Sequence, residues 1–85
     1  MKYYTYILMS LSNNDIYVGS TANLEKRINL HNKGRVKSTK GYRPWKLLEY
    51  YEFDSRSGAM RQEMYLKNHQ QKELIKAKYG RLAKQ

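Results

Sequence analysis

From Tyr3 to Met9 (YYTYILM) the chain is apolar or aromatic on both alternating faces, as a strand covered on two sides should be. Ser12-Asn13-Asn14-Asp15 follows with turn chemistry, since asparagine tolerates positive φ. Asp15 to Gly19 (DIYVG) reads as the returning strand of a hairpin. Thr21 or Asn23 is placed to cap a helix that runs to about Lys33 and ends at Gly34. Lys33 to Pro44 reads as a loop. Trp45 to Phe53 (WKLLEYYEF) alternates as a third strand, with Trp45, Leu47, Tyr51 and Phe53 expected on one face. Asp54, Ser55 and Ser57 are alternative caps for a helix over about Ser57 to Asn68. A last helix over about Gln70 to Tyr79 sets Leu74, Ile75, Tyr79 and Leu82 at helical spacing. The order ββαβαα predicts an α+β domain spanning residues 1–85, a small three-stranded antiparallel sheet flanked by helices.

Helical-wheel positions then separate the core from residues that do not suit one. With Leu24 at the origin, Ile28 falls near about 40°, His31 near about 340°, Arg27 near about 300° and Leu30 near about 240°. Glu25, Lys26, Asn29, Asn32 and Lys33 complete the polar face without Arg27 or His31. Those two lie i,i+4 apart on the apolar side, where an unpaired guanidinium costs several kcal/mol. Arg27 therefore needs an anion, either a protein carboxylate or a substrate phosphate. His31 on its own reads as a satisfied, partly buried histidine. On the second helix, Glu63 falls within an arc of Ala59, Leu66, Met60 and Met64, with Lys67 one turn on. Glu63 is either half of an i,i+4 pair with Lys67 at the rim or a carboxylate holding a divalent cation.

The hairpin supplies further candidates. Tyr4, Tyr6 and Leu8 share one strand face, and an even-numbered hairpin loop sets Tyr17 beside Tyr6 on that face. Gly19 either makes an ordinary turn or lets a phosphate approach the backbone.

Composition changes the picture by its charge. Seventeen Lys and Arg against seven Asp and Glu give a net charge of +10 in 85 residues, which favours polyanionic partners, nucleic acid before an anionic membrane surface. Nine tyrosines add rings that pack while presenting a hydroxyl to phosphate or base. Lys33, Arg35, Lys37, Lys40 and Arg43 fall in one loop with no acid, either as a solvated charge run or as a track for a phosphate backbone. The absence of cysteine excludes disulfides, thiolate zinc and a cysteine nucleophile, and makes a reducing cytoplasm the expected location. No apolar run approaches the roughly 20 residues that span a bilayer, and the N-terminus lacks signal-peptide character. His31 and His69 lack metal-ligand spacing, and no phosphate-loop, dinucleotide or serine-elbow motif is present.

Tyr4-Thr5-Tyr6-Ile7-Leu8, Ile16-Tyr17-Val18-Gly19-Ser20-Thr21, Asn23-Leu24-Glu25-Lys26-Arg27 with His31, Gly41-Tyr42-Arg43-Pro44-Trp45-Lys46-Leu47 and Arg61-Gln62-Glu63 together resemble the GIY-YIG nuclease superfamily. The likeness is to its short stand-alone members, related to the N-terminal nuclease domain of the excinuclease C subunit. The first triplet here is Tyr4-Thr5-Tyr6, without the glycine and isoleucine, and Asn68 follows Glu63 too soon to take the role of the superfamily's late asparagine.

The resemblance implies hydrolysis of DNA phosphodiesters with one divalent ion, Mg²⁺ or Mn²⁺. It implies that Tyr6 activates the attacking water and that Tyr17 positions water or phosphate. Arg27 would stabilise developing charge, His31 would assist proton transfer or bind phosphate, and Glu63 would hold the metal. Tyrosine's unperturbed pKa is about 10, so such a role requires Tyr6's phenolate to be favoured by a cation, a metal or a hydrogen bond. The first reading is a cytoplasmic, structure-selective DNA endonuclease with repair or recombination as its setting, and a protein partner as one source of specificity. The second is a non-catalytic or weakly active nucleic-acid-binding module of the same fold, and the third an interaction module that has lost activity.

Overall fold

In the computed structural model, which describes residues 1–83 with the side chains of the last helix through Tyr79, strand β1 (Tyr3–Ser10) is the centre of the sheet. It pairs antiparallel with β2 (Ile16–Thr21) on one side and with β3 (Trp45–Phe53) on the other, in the order β2-β1-β3. Three α-helices, α1 (Leu24–Asn32), α2 (Arg56–Leu66) and α3 (His69–Ala83), flank it. This is the α+β architecture expected from the sequence.

The hairpin sets the register. Ser10 N donates to Asp15 O at 2.8 Å, which leaves Leu11–Asn14 as the loop, with Asn14 at φ 64°. The loop is even-numbered, so Leu8 pairs with Tyr17 and Tyr6 with Gly19, and both tyrosines lie on one face.

The two faces of the sheet carry different cores. On one, Tyr6, Leu8 and Trp45 are buried, with Tyr17, Leu24, Ile28 and Leu47 packed around them, so α1 covers this side. On the other, Ile7, Met9, Ile16 and Val18 pack against Leu66 of α2 and Ile75 of α3. Thr5 Oγ1 donates to Ala59 O at 2.6 Å and ties α2 to the central strand.

Strand β3 departs from simple alternation. Ile7 pairs with Glu49 but Leu8 pairs with Leu47, so Leu48 is the extra residue of a β-bulge. The bulge moves Tyr51 to the α2–α3 side, where it packs with Leu48, while Trp45 and Leu47 stay on the α1 side. The expected common face of Trp45, Leu47, Tyr51 and Phe53 is thus divided, with Phe53 following Tyr51 past the bulge.

The helix starts follow their caps. Asn23 accepts from Lys26 N, and Ser55 accepts from Gly58 N. Gly34, at φ 76°, takes the left-handed conformation just past α1. Within the following loop, Lys40–Tyr42 form a short 3₁₀ turn. Two helical expectations need correction. Helix α2 buries Ala59 and Leu66 but leaves Met60 and Met64 exposed, so Glu63 borders the packed face and is not at its centre. In α3, Ile75 is buried and Leu74 exposed, and Leu82's side chain lies outside the described residues.

Candidate active site

The α1 face of the sheet gathers Tyr6, Tyr17, Gly19, Arg27 and His31. Tyr6 Oη lies 2.9 Å from His31 Nε2, and both side chains are fully buried. The Tyr17 ring meets the His31 ring edge-on at 4.9 Å between centroids, and lies 6.3 Å from the Tyr6 ring. His31 reaches this point because it stands on the inner side of α1, as the wheel predicts.

Gly19 is explained by the tyrosines. A Cβ at this position would sit 2.6 Å from Tyr6 Oη and 3.0 Å from Tyr17 Cε2. The missing side chain is therefore the space into which the Tyr6 hydroxyl fits.

His31 has a second partner that no sequence pattern marks. Its Nδ1 lies 2.8 Å from Thr39 Oγ1, and Thr39 is itself 1% exposed. Thr39 Oγ1 donates to Val36 O at 3.3 Å, and Thr39 O accepts from Trp45 Nε1 at 2.9 Å. Asn32 links the end of α1 to β3 through Trp45, accepting from Trp45 N at 2.6 Å and donating to Trp45 O at 3.1 Å. A threonine among loop cations gives no local signal of burial, because its depth depends on where Trp45 closes the loop onto α1.

Arg27 lies beside both tyrosines, and among the described residues no carboxylate pairs with it. Its Nε is buried without a hydrogen-bond partner. A buried, unspent guanidinium N–H beside the two tyrosines suits an incoming oxyanion.

The electrostatics follow from burial. Desolvation pushes the Tyr6 phenol up to about 12, and the nearby Arg27 guanidinium opposes this only in part. The phenolate-favouring environment required of Tyr6 is thus not present in the closed site, where the neutral phenol is the stable form. Desolvation also takes His31 down to about 4, with Arg27 adding to the effect, so His31 is neutral at physiological pH.

Glu63 stands apart from this group, on α2, which packs against the opposite face of the sheet. Ser20 Oγ donates to its Oε1 at 2.6 Å, and Lys67 Nζ lies 2.6 Å from its Oε2. The expected i,i+4 pair with Lys67 is therefore formed. Ser20 follows Gly19 on β2, so the carboxylate is joined to the tyrosine cluster through adjacent residues of one strand, and its charge contributes to raising Tyr6. Among the described residues no cluster of three or more His, Cys, Asp or Glu side chains is arranged to hold a metal. A single hard carboxylate fits Mg²⁺ in the manner of sites completed by water and substrate phosphate.

Lys33, Arg35, Lys37, Lys40 and Arg43 are all exposed, and among the described residues none forms an ion pair. Arg43 folds back along the loop, with its Nε donating to Lys40 O at 3.0 Å and its guanidinium over Gly34. The loop thus presents cations outside while its Thr39 supports His31 inside. Among the described residues no helix is long and apolar enough to cross a membrane.

The GIY-YIG catalytic domain model matches residues 2–79. UPF0213 protein YsiG of Lactococcus lactis is 43% identical over 68 residues, covering 79% of this chain and 64% of that protein, so the chain spans just under two thirds of this relative's length. A UPF0213 protein of Natronomonas pharaonis is 38% identical over 81 residues, covering 94% of this chain and 88% of its own. The solution structure of UPF0213 protein BH0048 from Bacillus halodurans superposes with a TM-score of 0.54 at 32% identity, covering 91% of this chain and 84% of that one. With the family's match extending over nearly all of the chain, and the same three-stranded fold in a related solved structure, the chain belongs to the GIY-YIG catalytic domain family.

Proposed function

We infer that this chain is a divalent-metal-dependent endonuclease that hydrolyses DNA phosphodiesters, with selectivity for DNA structure and a cytoplasmic place in repair or recombination. The observation that carries this reading is the buried Tyr6–His31 hydrogen bond beside a guanidinium with an unspent N–H.

In this reading the scissile phosphate draws the Arg27 guanidinium onto its oxygens. That movement uncovers Tyr6, which is fully buried without substrate, to the attacking water. As the water oxygen bonds to phosphorus, its proton passes to Tyr6 Oη while the Tyr6 proton passes to His31 Nε2. The relay never requires a free phenolate, which answers the high pKa of Tyr6. The phosphorus–oxygen bond to the leaving group breaks, and the alkoxide takes a proton from solvent. Arg27 stabilises the charge that gathers on the phosphoryl oxygens. Tyr17, partly exposed and against both rings, positions water or phosphate.

Glu63 would hold a single Mg²⁺ or Mn²⁺, which when bound supplies Lewis-acid stabilisation of the phosphate. Lys33, Arg35, Lys37, Lys40 and Arg43 would follow the DNA backbone, and Gly19 keeps the approach to Tyr6 free of a side chain. Selectivity among DNA structures would come from this surface or from a protein partner.

A second reading, a nucleic-acid-binding module without catalysis, draws support from Glu63, whose two oxygens are both engaged by Ser20 and Lys67. The discriminating experiment offers single-stranded, duplex, flap and junction DNA to the protein with Mg²⁺, Mn²⁺ or EDTA, alongside Glu63→Gln. The nuclease reading predicts metal-dependent cleavage that is lost in the variant. Salt-sensitive binding with no cleavage of any substrate would leave the binding module.

A further inference from the structure

We propose that Thr39 is a positioning residue that fixes the proton of His31 on Nδ1, leaving Nε2 as the acceptor for the Tyr6 hydroxyl proton. This deepens the nuclease reading and rests on it for its catalytic consequence, but the tautomer itself is a property of the folded chain.

Two separate accounts of the buried hydrogen bonds lead to the same tautomer. The first starts at the loop. A threonine hydroxyl has one proton, and that of Thr39 has an acceptor in Val36 O at 3.3 Å. With its proton there, Thr39 Oγ1 offers a lone pair to His31 Nδ1 at 2.8 Å, which favours the hydrogen on Nδ1. The second starts at the strand. The only side-chain acceptor hydrogen-bonded to Tyr6 Oη among the described residues is His31 Nε2, since its charged neighbour Arg27 is a donor with no acceptor to offer. The Tyr6 proton, buried with the whole residue, therefore goes to Nε2, because the opposite arrangement leaves it unspent. The two hydrogen bonds favour one tautomer together, and without the Thr39 hydroxyl the Nδ1 hydrogen loses its acceptor, so the preference weakens.

The support behind Thr39 is rigid. Its carbonyl accepts from the indole of Trp45 at 2.9 Å, its amide donates to Val36 O at 3.1 Å, and its side chain is 1% exposed. The loop that carries cations on its outer side therefore also holds the histidine tautomer, and the positioning group of α1 comes from a segment with no helix or strand of its own at that residue.

The test reads the tautomer directly, by long-range ¹H–¹⁵N correlation spectra of the His31 ring near neutral pH, in the wild-type protein, in Thr39→Val and in Thr39→Ser. The expected result is a protonated Nδ1 and an unprotonated Nε2 in wild type and Thr39→Ser. Thr39→Val, which keeps the shape but not the hydroxyl, is expected to give a mixture or the Nε2–H form. Single-turnover cleavage should fall in Thr39→Val, by an amount within the roughly 10²–10⁴-fold that a positioned proton acceptor contributes, and recover in Thr39→Ser. A wild-type ring protonated on Nε2 overturns the proposal, and this measurement needs no variant to fold. So does a Thr39→Val ring unchanged from wild type, or a Thr39→Ser ring that behaves like Thr39→Val. Expected tautomers in all three proteins with no DNA cleaved by any would uphold the assignment and overturn the nuclease reading instead.

Discussion

Tyr6 Oη and His31 Nε2 are 2.9 Å apart, with neither side chain reaching solvent, so a phenol and an imidazole that are both neutral are joined by a hydrogen bond inside the sheet–helix interface. Removing the phenol hydroxyl leaves His31 Nε2 as a buried acceptor with nothing to accept from. Tyr6→Phe is expected to cost about 1–3 kcal/mol of stability, measured by denaturant unfolding. A variant as stable as wild type would mean that the hydrogen bond contributes little to the fold.

His31 also makes stability depend on pH. Its folded pKa, about 4, lies below the ordinary value of 6.5, so the unfolded chain binds its proton more readily. The stabilisation is complete above pH 6.5, is lost as pH falls toward 4, and does not decline further below that from this group. The loss amounts to roughly 3 kcal/mol across the window. Urea midpoints measured from pH 7 to pH 4 should show this fall in wild type, and His31→Asn should flatten it. An equal slope in both proteins would assign the pH dependence to other groups.

Gly19→Ala inserts a methyl 2.6 Å from the oxygen of Tyr6, which is fully buried and held by His31. Overpacking of this kind costs typically about 1–3 kcal/mol. The variant should melt lower and lose cleavage together, because the hydroxyl must leave its place beside His31. Full activity in Gly19→Ala would show that the contact relaxes without moving Tyr6.

Lys67 competes with a metal for Glu63. The pair is formed at 2.6 Å, but Lys67 is 50% exposed, so its strength is that of a surface ion pair, about 1 kcal/mol or less. Lys67→Met should therefore lower the Mg²⁺ concentration needed for half-maximal cleavage, by up to about fivefold. An increase would indicate that Lys67 helps to build the metal or phosphate site.

Much of this was legible from periodicity. The register that joins Tyr6 to Tyr17 follows from an even hairpin loop, and Arg27 and His31 are visible because they stand on the apolar side of α1 after the polar side is already complete. The bulge at Leu48 was not legible, since Leu47-Leu48 continues an apolar run and the alternation resumes on the wrong face without a local marker. Met60 and Met64 extend the apolar arc of α2 by residue type, yet the helix buries Ala59 and Leu66 and leaves both methionines exposed. Thr39 escaped for a similar reason: its role depends on the distant Trp45 and His31, and neither is near it in the pattern of the loop.

The central claim is that Tyr6 and His31 act as one proton-transfer unit in DNA hydrolysis. The measurement that tests it most directly is a double-mutant cycle of single-turnover DNA cleavage with Mg²⁺, using wild type, Tyr6→Phe, His31→Asn and the double variant. Groups that act as a unit are strongly non-additive. The account predicts that each single variant loses about as much rate as the double variant. Additive losses, or single variants that cleave at the wild-type rate, would contradict it.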